Sequence, residues 1–174
     1  ITFEQWADLK NYTPFAKLPV LEVDGKQLPE SAAIMRFLSK QFGLAGKSDL
    51  DSAWVDAIVD QYKDYYAEFA KYYYVALGIR EGGDKEVLKK EFGEPARDKF
   101  FPLLVAQLKK SGSGFLVGDS LTYAHLLIAE HSATLHELFP GLLAPYPEIL
   151  THSKKIQAIP QIKAWIEKRP KSSF

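Results

Sequence analysis

The stretch from residue 13 to residue 31, TPFAKLPVLEVDGKQLPES, carries the clearest local signals in the chain. Its apolar run, Val20, Leu21 and Val23, leads into Asp24-Gly25, and this dipeptide is the strongest sequence signal for a two-residue β-hairpin turn. The residues after the turn have the pattern of a return strand. The sequence therefore predicts two short antiparallel strands.

Both ends of the predicted hairpin carry distinctive residues. Pro19 stands before the first strand, where its missing N–H breaks no ladder bond, and the Leu18-Pro19 bond is a candidate for the cis form. Glu30 and Ser31 follow the second strand, and residues 32–42 have helical spacing with Ser31 as the expected N-cap. Because the first N–H groups of a helix lack intrahelical partners, such a helix start beside a bare strand edge suits a small carboxylate. A purely structural hairpin with a capped helix fits the same spacing.

Composition indicates an ordinary globular protein. The 174 residues hold 22 Lys and Arg against 22 Asp and Glu, and no basic stripe indicates a nucleic acid or a membrane surface as partner. The absence of cysteine excludes a disulfide framework, a thiol nucleophile and thiolate metal sites. No apolar run reaches the roughly 18 residues of a membrane helix, and no secretory signal opens the sequence, so we expect a cytoplasmic location. No metal site is expected either, because the histidines do not form the His-Glu-x-x-His pattern of a helical zinc site. Solvated or capping roles are expected for the four histidines, His125, His131, His136 and His152.

Hydrophobic periodicity divides the chain into two domains. The segment after Phe42 has two glycines and no periodicity, which predicts a linker over residues 43–49 between a small α/β unit, 1–42, and a helical domain, 50–174. The helical domain opens with a pattern about 28 residues long. Further helices are predicted from residue 84 to about residue 108, with Pro95 bending or interrupting it, and over 123–138, 147–158 and 160–168.

The long helix carries two sets of side chains with more than one interpretation. Its end, KYYYVA, holds three consecutive tyrosines that cannot all face one core, so core packing and a hydrophobic substrate pocket are equally compatible with it. Asp56, Asp60 and Asp64 recur every four residues and share a face. A solvated acidic face is favoured there over a site for a divalent cation.

Two motifs resemble a known family. The run FAKLPVLEVDG at residues 15–25, followed by PESAAIMRFL at 29–38, is similar to the glutathione-binding segment of cytosolic glutathione S-transferases. The tail IQAIP at 156–160, with Trp165, Arg169 and Pro170, resembles their last helices. Within that family the resemblance is to the sigma class, of the type found in nematodes and other invertebrates. It implies an α+β N-terminal thioredoxin-like domain, here incomplete, followed by an all-α helical-bundle domain. The resemblance also implies a βαβ unit ahead of Ile1.

The resemblance assigns one end of glutathione and its middle to the first residues of the chain. Trp6 and Lys10, with Lys17 nearby, match the residues that hold the glycyl carboxylate, and an indole N–H and an ammonium are suitable donors for it. Leu18, before Pro19, matches the residue whose backbone pairs with the cysteinyl unit. That pairing is a strand addition one residue long.

The other end of glutathione follows from the same resemblance, whereas the pocket for the second substrate rests on the aromatic residues of the long helix and the C-terminal tail. Ser31 and the helix start receive the γ-glutamyl carboxylate, Glu30 accepts from its ammonium, and Asp64 reaches that ammonium from the partner subunit of a homodimer. The hydrophobic pocket is assigned to Tyr66, Tyr72 and Phe174.

The implied function is conjugation of reduced glutathione, as co-substrate, to hydrophobic small-molecule electrophiles in detoxification, with no metal required. Sigma members stabilise the thiolate with a Tyr hydroxyl at the end of the first strand. That residue would precede Ile1, so no catalytic residue is assigned within this chain. Two alternatives stay open: a glutathione-dependent prostaglandin D isomerase, and a non-catalytic haem or lipid carrier or a structural crystallin-like protein of the same fold.

His125 departs from the family pattern. The family usually has Asp at this third position of the helix over 123–138. That Asp closes a capping box with the N-cap residue, which is Thr122 in this chain. We expect the exchange to weaken the cap by about 1 kcal/mol.

Overall fold

The computed structural model of the chain describes residues 3–170. Its contacts divide into two compact units, with the boundary between Ala45 and Gly46. The first unit consists of helix α1 (Phe3–Leu9) with a 3₁₀ turn (Lys10–Tyr12), strands β1 (Val20–Val23) and β2 (Lys26–Pro29), and helix α2 (Ser31–Gln41).

The hairpin predicted from the sequence is confirmed. Strands β1 and β2 are antiparallel, with Val20 opposite Pro29 and Val23 opposite Lys26. Asp24 and Gly25 form the turn with φ values of 50° and 73°, the positive values at both central positions that a type I′ turn requires. The Leu18-Pro19 peptide bond is cis, as the sequence suggested.

The second unit is helical within the described residues. Its long helix α3 (Asp49–Ala76) has the 28 residues expected, and Ser48 caps it by accepting from the N–H of Asp51 at 3.1 Å. Three more long helices and two short ones follow: α4 (Lys85–Leu88), α5 (Glu94–Ser111), α6 (Tyr123–Leu138), α7 (Pro147–Gln157) and α8 (Pro160–Lys168).

The segment predicted as one helix from residue 84 is helical without interruption over residues 85–111, with a π-helical turn ahead of Pro95. A π-helical turn, Lys89–Gly93, separates α4 from α5. A Cβ at Gly93 would lie 2.8 Å from a ring carbon of Tyr72, so the close approach of this turn to α3 requires glycine. Pro95 itself stands in the first turn of α5, where its missing N–H costs no hydrogen bond.

The core of the second unit lies where α3 packs on α5 and α6, and where α6 packs on α7. Its side chains with less than 2% exposure include Val55, Val59, Phe69, Phe101, Leu116, Ile128, Leu135, Leu143, Ile149 and Ile156. None of the helices in residues 3–170 combines the length and the apolar composition that crossing a bilayer requires.

Candidate functional site

The open end of the hairpin brings together two of the predicted binding segments. Because Val20 pairs with Pro29, the residues just outside the ladder, Leu18-Pro19 and Glu30, stand at the same end of the two strands. Within residues 3–170 the backbone of Leu18 makes no hydrogen bond, and its side chain is 49% exposed. This backbone segment can therefore accept an extended peptide as a short added strand.

Helix α2 begins at this end of the hairpin. The first intrahelical bond runs from the N–H of Ile34 to the carbonyl of Glu30 at 2.9 Å, which leaves the N–H groups of Ser31, Ala32 and Ala33 without helical partners. These donors and the helix dipole favour a negative charge at this point.

Ser31 is not the N-cap that the sequence predicted. The helix starts at Ser31 itself, and Glu30 occupies the cap position with no side-chain cap hydrogen bond. Glu30 has φ 72° and ψ 114°, a backbone conformation that a residue with a Cβ rarely adopts. The pattern gave no sign of this strain, which is of a kind that often occurs at functional sites.

Trp6, Lys10 and Lys17 belong to the segment that leads into the hairpin. Trp6 is half-buried on α1, whereas Lys10 and Lys17 are exposed. Lys10 opens the 3₁₀ turn rather than continuing α1, and its carbonyl accepts from the Thr13 hydroxyl at 2.8 Å. The two lysines place positive charge near the start of the unit.

Asp64 lies on the exposed side of α3. It lines a shallow cavity of about 210 Å³ between α3 and α5, together with Lys99 and Phe100. A neighbouring apolar groove of about 300 Å³ is lined by residues that include Trp54 and Leu103, which are 45% and 55% exposed.

Asp56, another acidic residue of α3, is engaged with α6. The Tyr123 hydroxyl donates a hydrogen bond to a carboxylate oxygen of Asp56. Within residues 3–170 no group of three or more His, Asp and Glu side chains is placed to hold a metal ion.

The tyrosines of α3 divide between core and partly open positions. Tyr72 is 5% exposed and packs against Phe69 and Phe139. Tyr66 is half-buried and its hydroxyl donates to that of Tyr74 at 3.3 Å. Burial, followed by the hydrogen bond to Tyr74, raises the pKa of Tyr66 far above its ordinary value, so its hydroxyl stays protonated. Phe174, the third residue assigned to the pocket, lies outside the described residues.

His131 lies inside this aromatic cluster. Its Nε2 is 2.9 Å from the Tyr65 hydroxyl oxygen and its Nδ1 is 3.4 Å from that of Tyr62. Burial lowers the pKa of His131 to about 3, so the ring stays neutral. One ring nitrogen then donates a hydrogen bond to one tyrosine hydroxyl, and the other nitrogen accepts from the second. The solvated or capping role expected for this histidine was wrong.

His125, in contrast, does cap its helix. The backbone nitrogen of Thr122 and its hydroxyl oxygen each lie 2.8 Å from Nδ1, and the backbone nitrogen of Leu116 lies 2.7 Å from Nε2. The neutral ring has one acceptor nitrogen, so it accepts from one of these two N–H groups. The capping box is therefore closed with histidine in place of the expected Asp. Burial, and after it electrostatic repulsion from His152, lowers the pKa of His125 to about 3.

Two family models match the chain. Residues 2–41 match the N-terminal domain of glutathione S-transferases, and residues 63–169 match their C-terminal domain.

Individual relatives agree with these models. A probable glutathione S-transferase of Caenorhabditis elegans is 50% identical over 173 residues, which is 99% of this chain and 84% of the relative. The crystal structure of a monomeric glutathione S-transferase from the hookworm Necator americanus is 46% identical with a TM-score of 0.94, and that of a Nu-class enzyme from Haemonchus contortus is 48% identical with a TM-score of 0.88. Each match covers 100% of this chain and 84% of the solved one.

A more distant structure, prostaglandin synthase D of Nilaparvata lugens, is 30% identical with a TM-score of 0.85 and covers 99% of this chain and 84% of that one. These matches confirm the fold expected from the sequence, a small thioredoxin-like domain followed by a helical domain. The chain belongs to the glutathione S-transferase family, and it is a transferase that conjugates glutathione.

Proposed function

We propose that glutathione lies along the open end of the hairpin, with its cysteinyl unit paired to the backbone of Leu18 ahead of Pro19. The observation that carries this proposal is the register of the hairpin, which sets the unpaired backbone of Leu18 at the same end as the start of α2. An extended tripeptide can pair with the first segment and direct a terminal carboxylate toward the second.

The γ-glutamyl end of glutathione carries a carboxylate and an ammonium on one carbon. The carboxylate accepts from the free N–H groups at the start of α2 and from the Ser31 hydroxyl. The Glu30 carboxylate, one residue earlier, accepts from the ammonium. Ser31 as a donor therefore matches the carboxylate of the γ-glutamyl unit, and Glu30 as an acceptor matches its ammonium.

The glycyl carboxylate is the opposite end of the tripeptide. We assign it to the Trp6 indole N–H and the Lys10 ammonium, with Lys17 adding positive charge. The exposure of both lysines favours this role, because neither ammonium is taken up in the packing of the unit.

The active protein is proposed to be a cytoplasmic homodimer of the sigma class. Asp64 is exposed beside an apolar groove between α3 and α5, and exposed apolar patches of this kind often mark interfaces. In the dimer the Asp64 carboxylate reaches the glutathione ammonium held by the partner subunit. Sedimentation equilibrium of the wild-type protein and of Asp64→Asn tests the dimer, and the variant should stay dimeric. A glutathione titration of the same two proteins tests the role of Asp64, and the variant should bind glutathione more weakly.

The second substrate is proposed to be a hydrophobic electrophile, in a pocket that includes Tyr66 and Phe174. Tyr72, which the sequence also assigned to this pocket, is buried against Phe69 and Phe139 and is left out of the proposal. Turnover of an activated aryl halide by the intact protein, dependent on glutathione, is the expected result. The likeness to a prostaglandin synthase supports a second candidate, isomerisation of a prostaglandin endoperoxide to its D product. Chromatography of the products formed from the endoperoxide distinguishes the two activities.

The binding mode is tested by titrating reduced glutathione into isotope-labelled intact protein and following the backbone amide signals by NMR. The largest shifts are expected at Leu18 and at the first residues of α2, Ser31 to Ile34. Lys40, exposed at the other end of α2, serves as the internal control, and its amide should stay in place. Shifts confined to other segments would refute the binding mode while leaving the enzyme class intact.

A further inference from the structure

The loop between the 3₁₀ turn and β1 carries two of the contacts proposed for glutathione. Lys10, for the glycyl carboxylate, and Leu18, for the cysteinyl unit, stand eight positions apart in the sequence, and the chain between Tyr12 and Val20 forms neither helix nor strand. In glutathione the two units are neighbours, with Cα atoms about 3.8 Å apart. The conformation of the loop therefore decides whether both contacts form at once.

Thr13 holds this loop by three hydrogen bonds. Its hydroxyl donates to the carbonyl of Lys10 at 2.8 Å, and its N–H donates to the same carbonyl at 3.3 Å. Its own carbonyl accepts from the N–H of Ala16 at 3.2 Å. The residue is thus bonded to Lys10 on one side and to the turn that precedes Leu18 on the other.

Two backbone conformations give the loop its course. Thr13 is extended, with φ −103° and ψ 145°, as is usual before a proline, and Pro14 has no N–H with which to continue the 3₁₀ turn. Ala16 has φ 50°, in the left-handed region that a residue with a Cβ rarely adopts. Such a conformation persists only where surrounding contacts hold it, and the hydrogen bond to Thr13 is one of them.

The hydroxyl makes the stronger of the two bonds to the Lys10 carbonyl. Its length of 2.8 Å is normal for an O–H···O hydrogen bond, whereas the N–H bond of 3.3 Å is longer than the usual limit of about 3.2 Å. Lys10 is exposed, so packing does little to orient it. A fixed carbonyl sets the point and the direction from which its side chain leaves the backbone.

We propose that Thr13 is a positioning residue for glutathione, an inference that rests on the binding mode proposed for this unit. Its hydroxyl fixes the peptide group of Lys10, so that the Lys10 ammonium meets the glycyl carboxylate when the cysteinyl unit pairs with Leu18. Thr13 acts through Lys10 and not by contact with the ligand. Without the hydroxyl, binding has to order this turn as well, and the affinity falls.

Three threonine variants of the intact protein test this role by calorimetric titration with glutathione. Thr13→Val keeps the branched shape without the hydroxyl and should raise the Kd about fivefold. Thr13→Ser keeps the hydroxyl and should stay within about twofold of wild type. Thr151→Val is the matched control, because the exposed Thr151 also donates from its hydroxyl to a carbonyl, that of Pro147 at 3.0 Å on α7. Its Kd should stay within about twofold of wild type.

A second ligand separates the positioning of Lys10 from a general effect on the fold. γ-Glutamylcysteine ethylamide carries a methyl group in place of the glycyl carboxylate, so it offers the Lys10 ammonium no charged partner. Thr13→Val should therefore change the Kd of this analogue by less than about twofold. A double-mutant cycle gives the same separation, since in a Lys10→Ala background Thr13→Val should no longer weaken glutathione binding.

Three results would overturn this role of Thr13: an unchanged Kd in Thr13→Val, an equal loss of affinity for glutathione and for the ethylamide, or additive losses in the double variant. The binding mode itself is judged by Lys10→Ala. An unchanged Kd in that variant would refute the assignment of Lys10, and the role of Thr13 with it. A raised Kd in Lys10→Ala, with wild-type affinity in Thr13→Val, would refute only the role of Thr13.

Discussion

The hairpin unit and the helical unit use their polar groups in opposite ways. In the hairpin unit, Ser31 and Lys10 are exposed, and the N–H groups at the start of α2 lack helical partners. In the helical unit, His125 and His131 are buried and their hydrogen-bond partners belong to the protein itself. The first unit keeps its donors for a ligand, and the second uses them for folding. Substitutions in the first should therefore reduce binding, and those in the second should reduce stability.

The largest expected effect is loss of stability in mild acid. Burial lowers the pKa values of His125 and His131 to about 3 and that of His152 to about 4, below the ordinary value of 6.5. Their contribution to stability is complete above pH 6.5 and is lost as the pH falls toward those values, because only the unfolded chain takes up the protons. Between pH 6.5 and pH 5, the free energy of unfolding should fall by up to about 4 kcal/mol per pH unit. Urea unfolding across this range measures the slope.

His131→Phe provides the control for this slope. The variant keeps an aromatic ring among the tyrosines but has no proton to take up on unfolding. Its slope should be smaller by about 1.4 kcal/mol per pH unit. An unchanged slope would mean that this histidine is not held neutral in the folded state.

Removal of the His125 ring should have the next largest effect. His125→Ala removes the acceptor nitrogen that the buried N–H groups of Thr122 and Leu116 face, which should cost about 1–3 kcal/mol at pH 7.5. His125→Asn keeps an oxygen within reach of the Thr122 N–H and should recover about 1 kcal/mol. Hydrogen exchange at these two amides locates the change, and undiminished protection in the alanine variant would contradict the assigned contacts.

The hairpin unit should show the reverse behaviour. Ser31→Ala and Lys10→Ala each remove one donor from the proposed glutathione site and should raise the Kd for glutathione about tenfold. Neither side chain is buried, so the free energy of unfolding should change by less than about 0.5 kcal/mol. Lys40→Ala, at the far end of α2, is the matched control and should leave the Kd within about twofold of wild type. Calorimetric titration measures the Kd, and an equal loss in the control would point to a general charge effect.

Much of the fold follows from local pattern. The hairpin turn is fixed by Asp24-Gly25, and the bounds of α6 and α8 agree with the prediction. The π-helical turn before α5 does not follow, because it depends on the contact between Gly93 and the Tyr72 ring, and these residues are far apart in sequence.

The site is less predictable than the fold. Resemblance supplied the residues, but the backbone of Glu30 and the true start of α2 are three-dimensional properties without a pattern of their own. The partners of His125 and His131 come from other turns and helices, and periodicity along the chain does not reveal them. Spacing predicts which residues share a face, and packing decides which polar groups meet.

The smallest expected effect tests whether the hairpin unit gives up stability for binding at Glu30. Its φ of 72° is unfavourable for a residue with a Cβ, and glycine adopts it freely. Glu30→Gly and Glu30→Ala both remove the carboxylate, so both should weaken glutathione binding to a similar degree. The glycine variant should nevertheless be more stable locally by about 1 kcal/mol. At this φ alanine is strained because it has a Cβ, and glycine is not. Hydrogen exchange at the Ile34 amide, which donates to the Glu30 carbonyl at 2.9 Å, reports that local stability. Equal protection in the two variants would mean that the conformation at Glu30 carries no strain, and that the two units differ only in where their polar groups point.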